Sequence, residues 1–324
     1  MERVTNEGLK AILHSKRANI YYIEYCRLMV KDGRVVYLTE EKSTNQYWNI
    51  PIVNTTVVML GTGTSVTQAA VRMLMSAGVM IGFCGGGGTP LFAGTEVEWL
   101  SPQSEYRPTE YLQSWMSFWF DDAKRLQAAK QLQDARIVFL EQVWGKDRDL
   151  KAEGFSLAET RISRELAATK AKIDAAPSVA DLLQAEALFT KSLYKLAAGL
   201  TAHPDFTRER NADDTANQFL NHGNYLAYGL AACALWVLGI PHGFAVMHGK
   251  TRRGALVFDI ADLIKDALIL PLAFICAREG ETEQGFRQQC LQAFTDHQAL
   301  NFMFDSIKSV CHTMGSLSPE DAAS

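Results

Sequence analysis

The segment RLMVKDGRVVYL, residues Arg27–Leu38, places an Asp-Gly pair between two runs of strand-forming side chains. Valine, leucine and tyrosine fit extended backbone, and Asp32-Gly33 suits the left-handed residues of a tight turn. The segment therefore predicts a β-hairpin.

Further strand signals surround this hairpin. Ile20–Tyr25, Thr55–Leu60 and Val79–Phe83 are rich in β-branched, aromatic and other apolar residues. A short helix is expected over Gln68–Ser76, capped by Ser65 or Thr67 and ended by Gly78. We therefore expect residues 1–100 to form a β-rich domain.

The pattern changes around Trp99–Pro108, where two prolines and several polar residues suggest a linker at 101–108. Beyond Thr109 the apolar residues recur at helical spacing. The expected helices are Tyr111–Ala135, Ile137–Leu150, Leu157–Ile173, Ser178–Leu200, Ala216–Leu238, Leu256–Leu270 and Gln284–Met314. The sequence thus predicts an α+β protein with two domains, the second being all-helical over 109–324.

Composition sets limits on function. The 324 residues are 48% hydrophobic and 21% charged, which argues against disorder, collagen-like repeats and a disulfide scaffold. The net charge of −4 excludes a globally basic field, so nucleic acid would have to bind at a local patch.

Three features of the sequence indicate where the protein resides in the cell. The six cysteines form no C-x-x-C pair, which favours reduced cytosolic thiols. The N-terminal residues lack the apolar region of a signal peptide. The longest apolar run, Tyr225–Ile240, is shorter than the roughly 20 residues of a membrane span. We expect a cytoplasmic protein without membrane segments.

Two glycine-rich turns invite a nucleotide-binding interpretation. Leu60–Ser65 joins a strand to a helix, but Val66 stands where a dinucleotide fingerprint needs glycine, and no P-loop lysine follows. Gly85–Gly88 precedes Thr89-Pro90 and not a helix start. A structural turn and a flexible surface loop are the favoured interpretations.

Charged side chains occur where a helical core is expected. Glu186 lies within an apolar stripe that contains Leu182, Phe189 and Leu193. A buried carboxylate requires a cation, a proton or strong donors. The alternatives are an ion pair with a distant lysine or arginine, or a position at the wet edge of the stripe.

A second group of acids follows at helical spacing. Asp259, Asp262 and Asp266 share one face of a predicted helix, opposite a face that begins with Val257 and Ile260. A solvated polar face would explain them. Because three like charges repel, a bound cation is the other explanation.

His248 precedes these acids and opens a basic cluster, Lys250, Arg252 and Arg253. Glycines on both sides of the cluster allow the chain to bring His248 back toward Asp262. A lone histidine is also common as a core residue. One imidazole and two carboxylates suit Mn²⁺ or Mg²⁺, and basic side chains nearby would hold phosphates. These residues suggest metal-assisted phosphoryl transfer on nucleic acid.

At these residues the chain resembles the CRISPR-associated adaptation endonucleases, the spacer integrases, in their type I-F form. The resemblance covers nearly the whole chain. It is carried by His14–Asn19, Tyr47–Pro51, Leu60–Ser65, Gly82–Phe92, Pro102–Tyr111, Asn221–Gly229 and His248–Gly254.

The resemblance implies an N-terminal β-sandwich-like domain that dimerises and a helical catalytic domain. By motif, it implies Glu186, His248 and Asp262 as metal ligands and Asp259 as an acid beside the site. Lys265 matches a basic position near the reacting phosphate. Asn217 matches an asparagine at the head of the helix behind the site. Asn224 stands where other branches have an aromatic residue, so the roles of Tyr225, His222 and the loop 203–214 stay open.

The implied activity is insertion of short double-stranded DNA fragments into the CRISPR repeat array. The 3′-hydroxyl of a fragment attacks a backbone phosphate, with Mn²⁺ or Mg²⁺ as cofactor. The implied partners are DNA, a second copy of the chain and the type I-F adaptation partner fused to a helicase-nuclease. The alternatives are a non-enzymatic DNA-binding scaffold and a general DNA-repair nuclease.

Overall fold

A computed structural model of the chain describes most of the sequence. The described residues are 19–41, 44–85, 97–102, 109–209, 214–249 and 254–315. All the described strands lie between Asn19 and Leu100, and helices make up the regular structure from Glu110 onward. The predicted α+β class, with a β-rich N-terminal part and a helical C-terminal part, is confirmed. The boundaries at 100 and 109 stay a prediction, since residues 103–108 are outside the described residues.

The N-terminal part contains two four-stranded sheets. The strands are β1 Asn19–Ile23, β2 Arg27–Lys31, β3 Arg34–Glu41, β4 Thr44–Asn49, β5 Thr55–Leu60, β6 Ser65–Val66, β7 Met80–Phe83 and β8 Glu98–Leu100. One sheet has the order β1-β5-β7-β8 and the other β4-β3-β2-β6. In the first sheet β1, β5 and β7 are parallel and β8 is antiparallel. The sequence pattern did not predict β4, β6 or β8. Strand β4 is polar, and β6 and β8 have only two and three residues.

The predicted hairpin joins β2 to β3. Val30 pairs with Val35, and Asp32 and Gly33 both have positive φ, at 50° and 71°. Both turn residues are therefore left-handed, as the Asp-Gly signal requires.

Strand β5 is buried on both of its faces. Val58 and Leu60 pack with Leu28 and Ile81, whereas Val57 and Met59 lie in a second cluster with Cys233 of the helical part. Burial on both faces explains the uninterrupted apolar run, which is typical of parallel central strands. This strand therefore joins the sheets to the helices.

The glycine-rich turn after β5 is held by hydrogen bonds to the backbone of Ile23. The Gly61 N–H donates to the Ile23 carbonyl over 2.9 Å, and the Thr64 hydroxyl donates to the same oxygen over 3.1 Å. Gly63 has φ +70°, and a β-carbon there would lie 2.6 Å from the Tyr25 ring. These contacts agree with a structural turn. Residues 86–88 of the second glycine-rich turn lie outside the described residues.

The helices are α1 Gln68–Ser76, α2 Glu110–Trp119, α3 Asp122–Lys146, α4 Arg148–Ala152, α5 Thr160–Ala175, α6 Val179–Leu200, α7 Thr215–Val237, α8 Ala255–Ile264, α9 Leu270–Glu279, α10 Glu283–Asp296 and α11 Ala299–Met314. A π-helical turn, Lys265–Ile269, joins α8 to α9. In the α1 cap, the Thr67 hydroxyl accepts from Ala70 N over 3.3 Å.

Two predicted helices contain a break in the structure. The boundary expected between Ala135 and Ile137 is absent, because α3 continues through Arg136 to Lys146. The helix expected over Tyr111–Ala135 breaks after Phe120, because Asp121 caps α3 by accepting from Ala123 N and Lys124 N. The helix expected over Gln284–Met314 breaks at Gln298, which has φ 52°. Because the apolar residues keep their helical spacing through both breaks, the sequence pattern did not reveal them.

The long apolar helix α7 lies in the main core of the helical part. Its residues Leu226 and Leu230 are 2% and 3% exposed, and Cys233 is fully buried. Among the helices that the structure describes, none combines the length and apolar content needed to cross a lipid bilayer. All six cysteines are buried, and none forms a disulfide.

Candidate functional site

His248 lies in the connection between α7 and α8, and two tryptophans of α2 fix the start of that connection. The indole N–H of Trp115 donates to the Phe244 carbonyl over 3.0 Å. The indole N–H of Trp119 donates to the Ala245 carbonyl over 2.7 Å. The backbone is thus anchored three residues before His248.

Asp259 of α8 binds the next three residues of this connection. Its Oδ2 accepts from Val246 N over 2.8 Å and from Met247 N over 3.2 Å, and its Oδ1 accepts from His248 N over 3.0 Å. The same Oδ1 lies 2.7 Å from Nδ1 of His248. With the proton on Nδ1 and donated to Asp259, Nε2 keeps its lone pair for a ligand.

Asp262 lies one helical turn further along α8, on the other side of the imidazole. Its Oδ2 is 3.9 Å from His248 Nε2, and its Oδ1 contacts the ammonium of Lys265. Asp262 is only 3% exposed. Burial opposes its charge, but Lys265, Arg136 and His248 hold the pKa of Asp262 below its ordinary value.

The pKa of the neighbouring cations is raised. Burial opposes the charge on Lys265, yet Asp262 raises its pKa above the ordinary value. Burial also opposes the charge on His248, but the hydrogen bond to Asp259 and the charge of Asp262 raise its pKa. The fold therefore gathers acids and bases that stabilise one another's charged forms.

Glu186 of α6 is held by Arg136 of α3. Arg136 Nη1 donates to Glu186 Oε1 over 3.0 Å, and the Thr190 hydroxyl donates to the same oxygen over 3.0 Å. The Arg136 side chain is 2% exposed and that of Glu186 is 18% exposed. The ion pair with a distant arginine, one of the alternatives drawn from the sequence, is therefore present in the structure.

Arg136 also binds Asp266. Its Nε donates to Asp266 Oδ2 over 2.6 Å, and Nη2 lies 2.5 Å from the same oxygen. Burial raises the pKa of Asp266 against the opposing effect of Arg136. Removing one partner of such a buried pair typically costs about 3–5 kcal/mol. Arg136 thus connects α6 to the π-helical turn after α8.

The solvated-face explanation for the three aspartates is wrong. Asp259, Asp262 and Asp266 are 2%, 3% and 6% exposed, and every residue of α8 is buried. The helix packs against both α3 and α7, so both of its faces are covered. Each acid therefore needs a partner within the protein: His248 and three backbone amides for Asp259, Lys265 for Asp262, and Arg136 for Asp266.

The chemistry of the donor set fits a divalent cation. One imidazole and two carboxylates suit Mn²⁺ or Mg²⁺, and the cations of Lys265 and Arg136 contact the two carboxylates. The structure brings His248 and Asp262 together. Glu186 is bound by Arg136, whose other acidic hydrogen-bond partner is Asp266. Within the described ranges, no three histidine, cysteine or acidic side chains are grouped as a ready metal site.

A cavity with about 310 Å³ of empty volume opens beside these residues. Its lining includes Glu186, Thr190, Asn224, Lys265 and Asp266. Asn224, which departs from the aromatic residue of other branches, thus faces the same cavity as two of the acids. An amide at this point adds a hydrogen-bonding group to a polar cleft.

Aromatic rings flank the site on one side. Phe258 contacts both His248 and Tyr228, with ring centroids 6.3 and 4.7 Å apart. The Lys265 ammonium lies 5.4 Å from the centre of the Tyr228 ring. Tyr225 is one ring further away, 6.1 Å from Tyr228.

Two other residues of α7 lie elsewhere. His222 Nδ1 is 3.0 Å from Glu283 Oε1. Asn217 is fully buried, donates to Thr207 O over 2.8 Å and accepts from Arg208 over 2.8 Å. Asn217 therefore fixes the loop before α7 and contributes no contact to His248 or Asp262.

The basic residues Lys250, Arg252 and Arg253 lie outside the described residues. The described chain ends at Gly249 and resumes at Gly254. Their assignment as DNA-binding residues stays a prediction from the sequence.

Arg136 and Thr190 are site residues that the sequence interpretation missed. Arg136 stands four residues from both Leu132 and Leu140, which are buried on the same helix. A charge within this apolar stripe is the signal that drew attention to Glu186, and it was present on α3 as well.

Comparisons with known proteins identify the family. The sequence model described as "CRISPR associated protein Cas1" matches residues 20–303. The CRISPR-associated endonuclease Cas1 of Pectobacterium atrosepticum is 59% identical over 93% of this chain and 94% of that protein. The CRISPR-associated endonuclease Cas1 of Pseudomonas aeruginosa is 55% identical over 96% and 98%.

A solved structure shows the same fold. The structure of a TtCas1–DNA complex matches with a TM-score of 0.63 and 20% identity, over 93% of each chain. The family model and both relatives span nearly all of the described elements. The chain belongs to the Cas1 family of CRISPR-associated proteins.

Proposed function

We propose that this chain is a metal-dependent DNA endonuclease and integrase of CRISPR adaptation, which inserts short double-stranded DNA fragments into the repeat array. The observation that carries the proposal is His248, fixed by Asp259 at one nitrogen and facing Asp262 with the other. Family membership and two relatives named endonucleases support it. Assignment to the type I-F form rests on the sequence resemblance.

The reaction exchanges one phosphodiester for another. The 3′-oxygen of the fragment forms a bond to phosphorus at the repeat boundary, and the bond from phosphorus to the original 3′-oxygen breaks. The attacking hydroxyl loses a proton and the departing oxygen gains one. Because bond types are conserved, no nucleotide energy is needed, and water in place of the hydroxyl would give cleavage.

Glu186, His248 and Asp262 are the residues that would hold Mn²⁺ or Mg²⁺. The ion supplies Lewis-acid stabilisation of charge that develops on phosphoryl oxygens. Asp259 orients the imidazole so that Nε2 faces the site. Thr190 and Arg136 hold Glu186 through its Oε1.

The basic side chains would hold DNA. Lys265, buried against Asp262, would neutralise the reacting phosphate, and Lys250, Arg252 and Arg253 would bind the neighbouring backbone. Contacts of this kind read phosphate and shape, so we expect DNA ends and deformability to matter more than base sequence. A fold relative solved as a DNA complex supports DNA as the ligand.

The proposed assembly contains two copies of the chain joined through their β-rich parts. Strand β4 is at a sheet edge, and its Tyr47 and Trp48 are 43% and 49% exposed. The further proposed partner is the type I-F adaptation protein fused to a helicase-nuclease, and the proposed compartment is the cytoplasm.

One observation favours a different function. The Glu186–Arg136 pair is what a non-enzymatic DNA scaffold would contain at this point. The general DNA-repair nuclease is the other alternative.

A metal titration followed by a strand-transfer assay separates these functions. The proposal predicts joined strands that require Mn²⁺ or Mg²⁺. Cleavage without joining would indicate the repair nuclease, and no product at any metal concentration would indicate the scaffold.

A further inference from the structure

Resting on the proposed function, we propose that Arg136 is a positioning residue that shields Glu186 in the metal-free protein. When a divalent cation binds Glu186, the guanidinium of Arg136 leaves that carboxylate and stays bound to Asp266.

The contacts of Arg136 are unequal. Two Arg136 nitrogens lie 2.6 and 2.5 Å from Asp266 Oδ2, whereas only one lies near Glu186 Oε1, at 3.0 Å. Thr190 Oγ1 accepts from Nη2 over 2.8 Å. Arg136 can therefore lose Glu186 and keep its position on Asp266 and Thr190.

The charges around the site favour this exchange. Glu186, Asp259, Asp262 and Asp266 supply four negative charges, while Arg136 and Lys265 supply two positive charges among the described residues. His248 must be neutral to bind a metal ion, and the excess negative charge then equals the charge of one divalent cation. Glu186 is the most exposed of the four acids, and its 18% exposed side chain lines the cavity. It is therefore the carboxylate that can turn away from Arg136 most readily.

In this arrangement the charge of Asp266 holds Arg136, and neither the metal ion nor DNA can replace it in that role. Without the charge of Asp266, Glu186 would be the one anionic hydrogen-bond partner of Arg136 among the described residues, and Arg136 would compete with the cation for it. Without Arg136, Glu186 and Asp266 would face each other uncompensated, and a cation would bind more tightly. A merely structural ion pair would lower stability in both cases. Opposite shifts in cation affinity also follow from a general electrostatic field, so dependence on Glu186 is what distinguishes the proposal.

The test is calorimetric titration of the full chain with MnCl₂, without DNA. Asp266→Asn, which is nearly isosteric, should raise the Kd for Mn²⁺ about tenfold. Arg136→Met should lower the melting temperature of the metal-free protein and increase the stabilisation that Mn²⁺ provides. At saturating Mn²⁺, Asp266→Asn should regain most of the wild-type joining rate.

A double-mutant cycle shows whether Asp266 acts through Glu186. In a Glu186→Gln background, Asp266→Asn should produce little further change in the Kd, because the competition for Glu186 is already gone. An unchanged tenfold effect there would indicate only a general field and would overturn the proposal. Because the double-mutant cycle does not include Arg136→Met, it tests the proposal even if that variant does not fold.

Glu24→Gln is the matched control. It breaks the Glu24–Arg287 pair, whose side chains are 11% and 10% exposed, and should leave the Kd for Mn²⁺ unchanged. If wild-type protein binds Mn²⁺ and joins strands but neither variant shifts the Kd, this inference alone fails. If wild-type protein binds no Mn²⁺, the proposed function fails with it.

Discussion

The Nδ1 atom of His248 lies 2.7 Å from Oδ1 of Asp259, an acid 11 residues further along the chain. The same carboxylate accepts three backbone N–H groups from Val246, Met247 and His248. One buried aspartate therefore sets both the path of the connection and the orientation of the ring. This contact gives His248 a defined free nitrogen, as metal-binding histidines require.

Asp262→Ala should abolish both cleavage and joining of DNA while the protein still folds. Losing a residue that only orients a ligand costs 10–100-fold, so losing a ligand should reduce the rate by roughly a hundredfold or more. Strand-transfer rates and circular dichroism would measure the two effects. A folded variant with full activity in added Mn²⁺ would remove Asp262 from the site.

Arg252→Ala and Arg253→Ala should weaken DNA binding and make it less sensitive to salt. Each lost phosphate contact lowers the slope of log K against log salt concentration by about 0.9 for duplex DNA. Fluorescence anisotropy at several salt concentrations measures this slope. Arg164→Ala, at an exposed position of α5, is the matched control. A slope equal to wild type in both variants would place the DNA elsewhere.

The β-rich part should mediate self-association. It is nearly neutral, and its edge strand β4 carries half-exposed aromatic side chains, Tyr47 and Trp48. Sedimentation velocity at micromolar concentration should therefore report a dimer. A monomer at that concentration would count against the proposed assembly.

His222 should make the protein sensitive to acid. Burial lowers the pKa of His222 below its ordinary value of 6.5, with Glu283 opposing this shift and Arg287 adding to it. The unfolded chain therefore binds the proton more readily, so the free energy of unfolding falls as the pH drops through 6.5 toward the folded-state pKa.

Denaturant unfolding at about pH 7.5 and about pH 5.5 measures this loss. His222→Gln should lose less stability than wild type over this interval, because the titrating group is absent. Glu283→Gln should lose more, because the acid that raises the pKa of His222 is gone. Equal losses in the three proteins would show that His222 does not contribute.

The hairpin and the strand β5 were predictable because their signals are local. Asp32-Gly33 and the run Thr55–Leu60 contain within a few residues the information that sets their structure. The starts and ends of α6 and α7 were predicted to within one residue for the same reason. The breaks at Asp121 and Gln298 were missed because a cap and one left-handed residue interrupt a spacing that continues on both sides.

The site was only partly predictable because its contacts are long-range. The resemblance supplied Glu186, His248 and Asp262, and the structure places the last two beside each other. The partner of Glu186 is Arg136, 50 residues upstream, and no spacing rule links the two. The burial of Asp266 depends on the packing of the π-helical turn Lys265–Ile269 against α3 and α7, which the local sequence does not contain.

The metal site is best tested with a crystal of the protein soaked in manganese and examined for anomalous scattering. We expect one peak between Glu186 and Asp262, within coordination distance of His248 Nε2, with Glu186 turned away from Arg136. No peak at this position, with Arg136 still bound to Glu186 and Lys265 to Asp262, would contradict it.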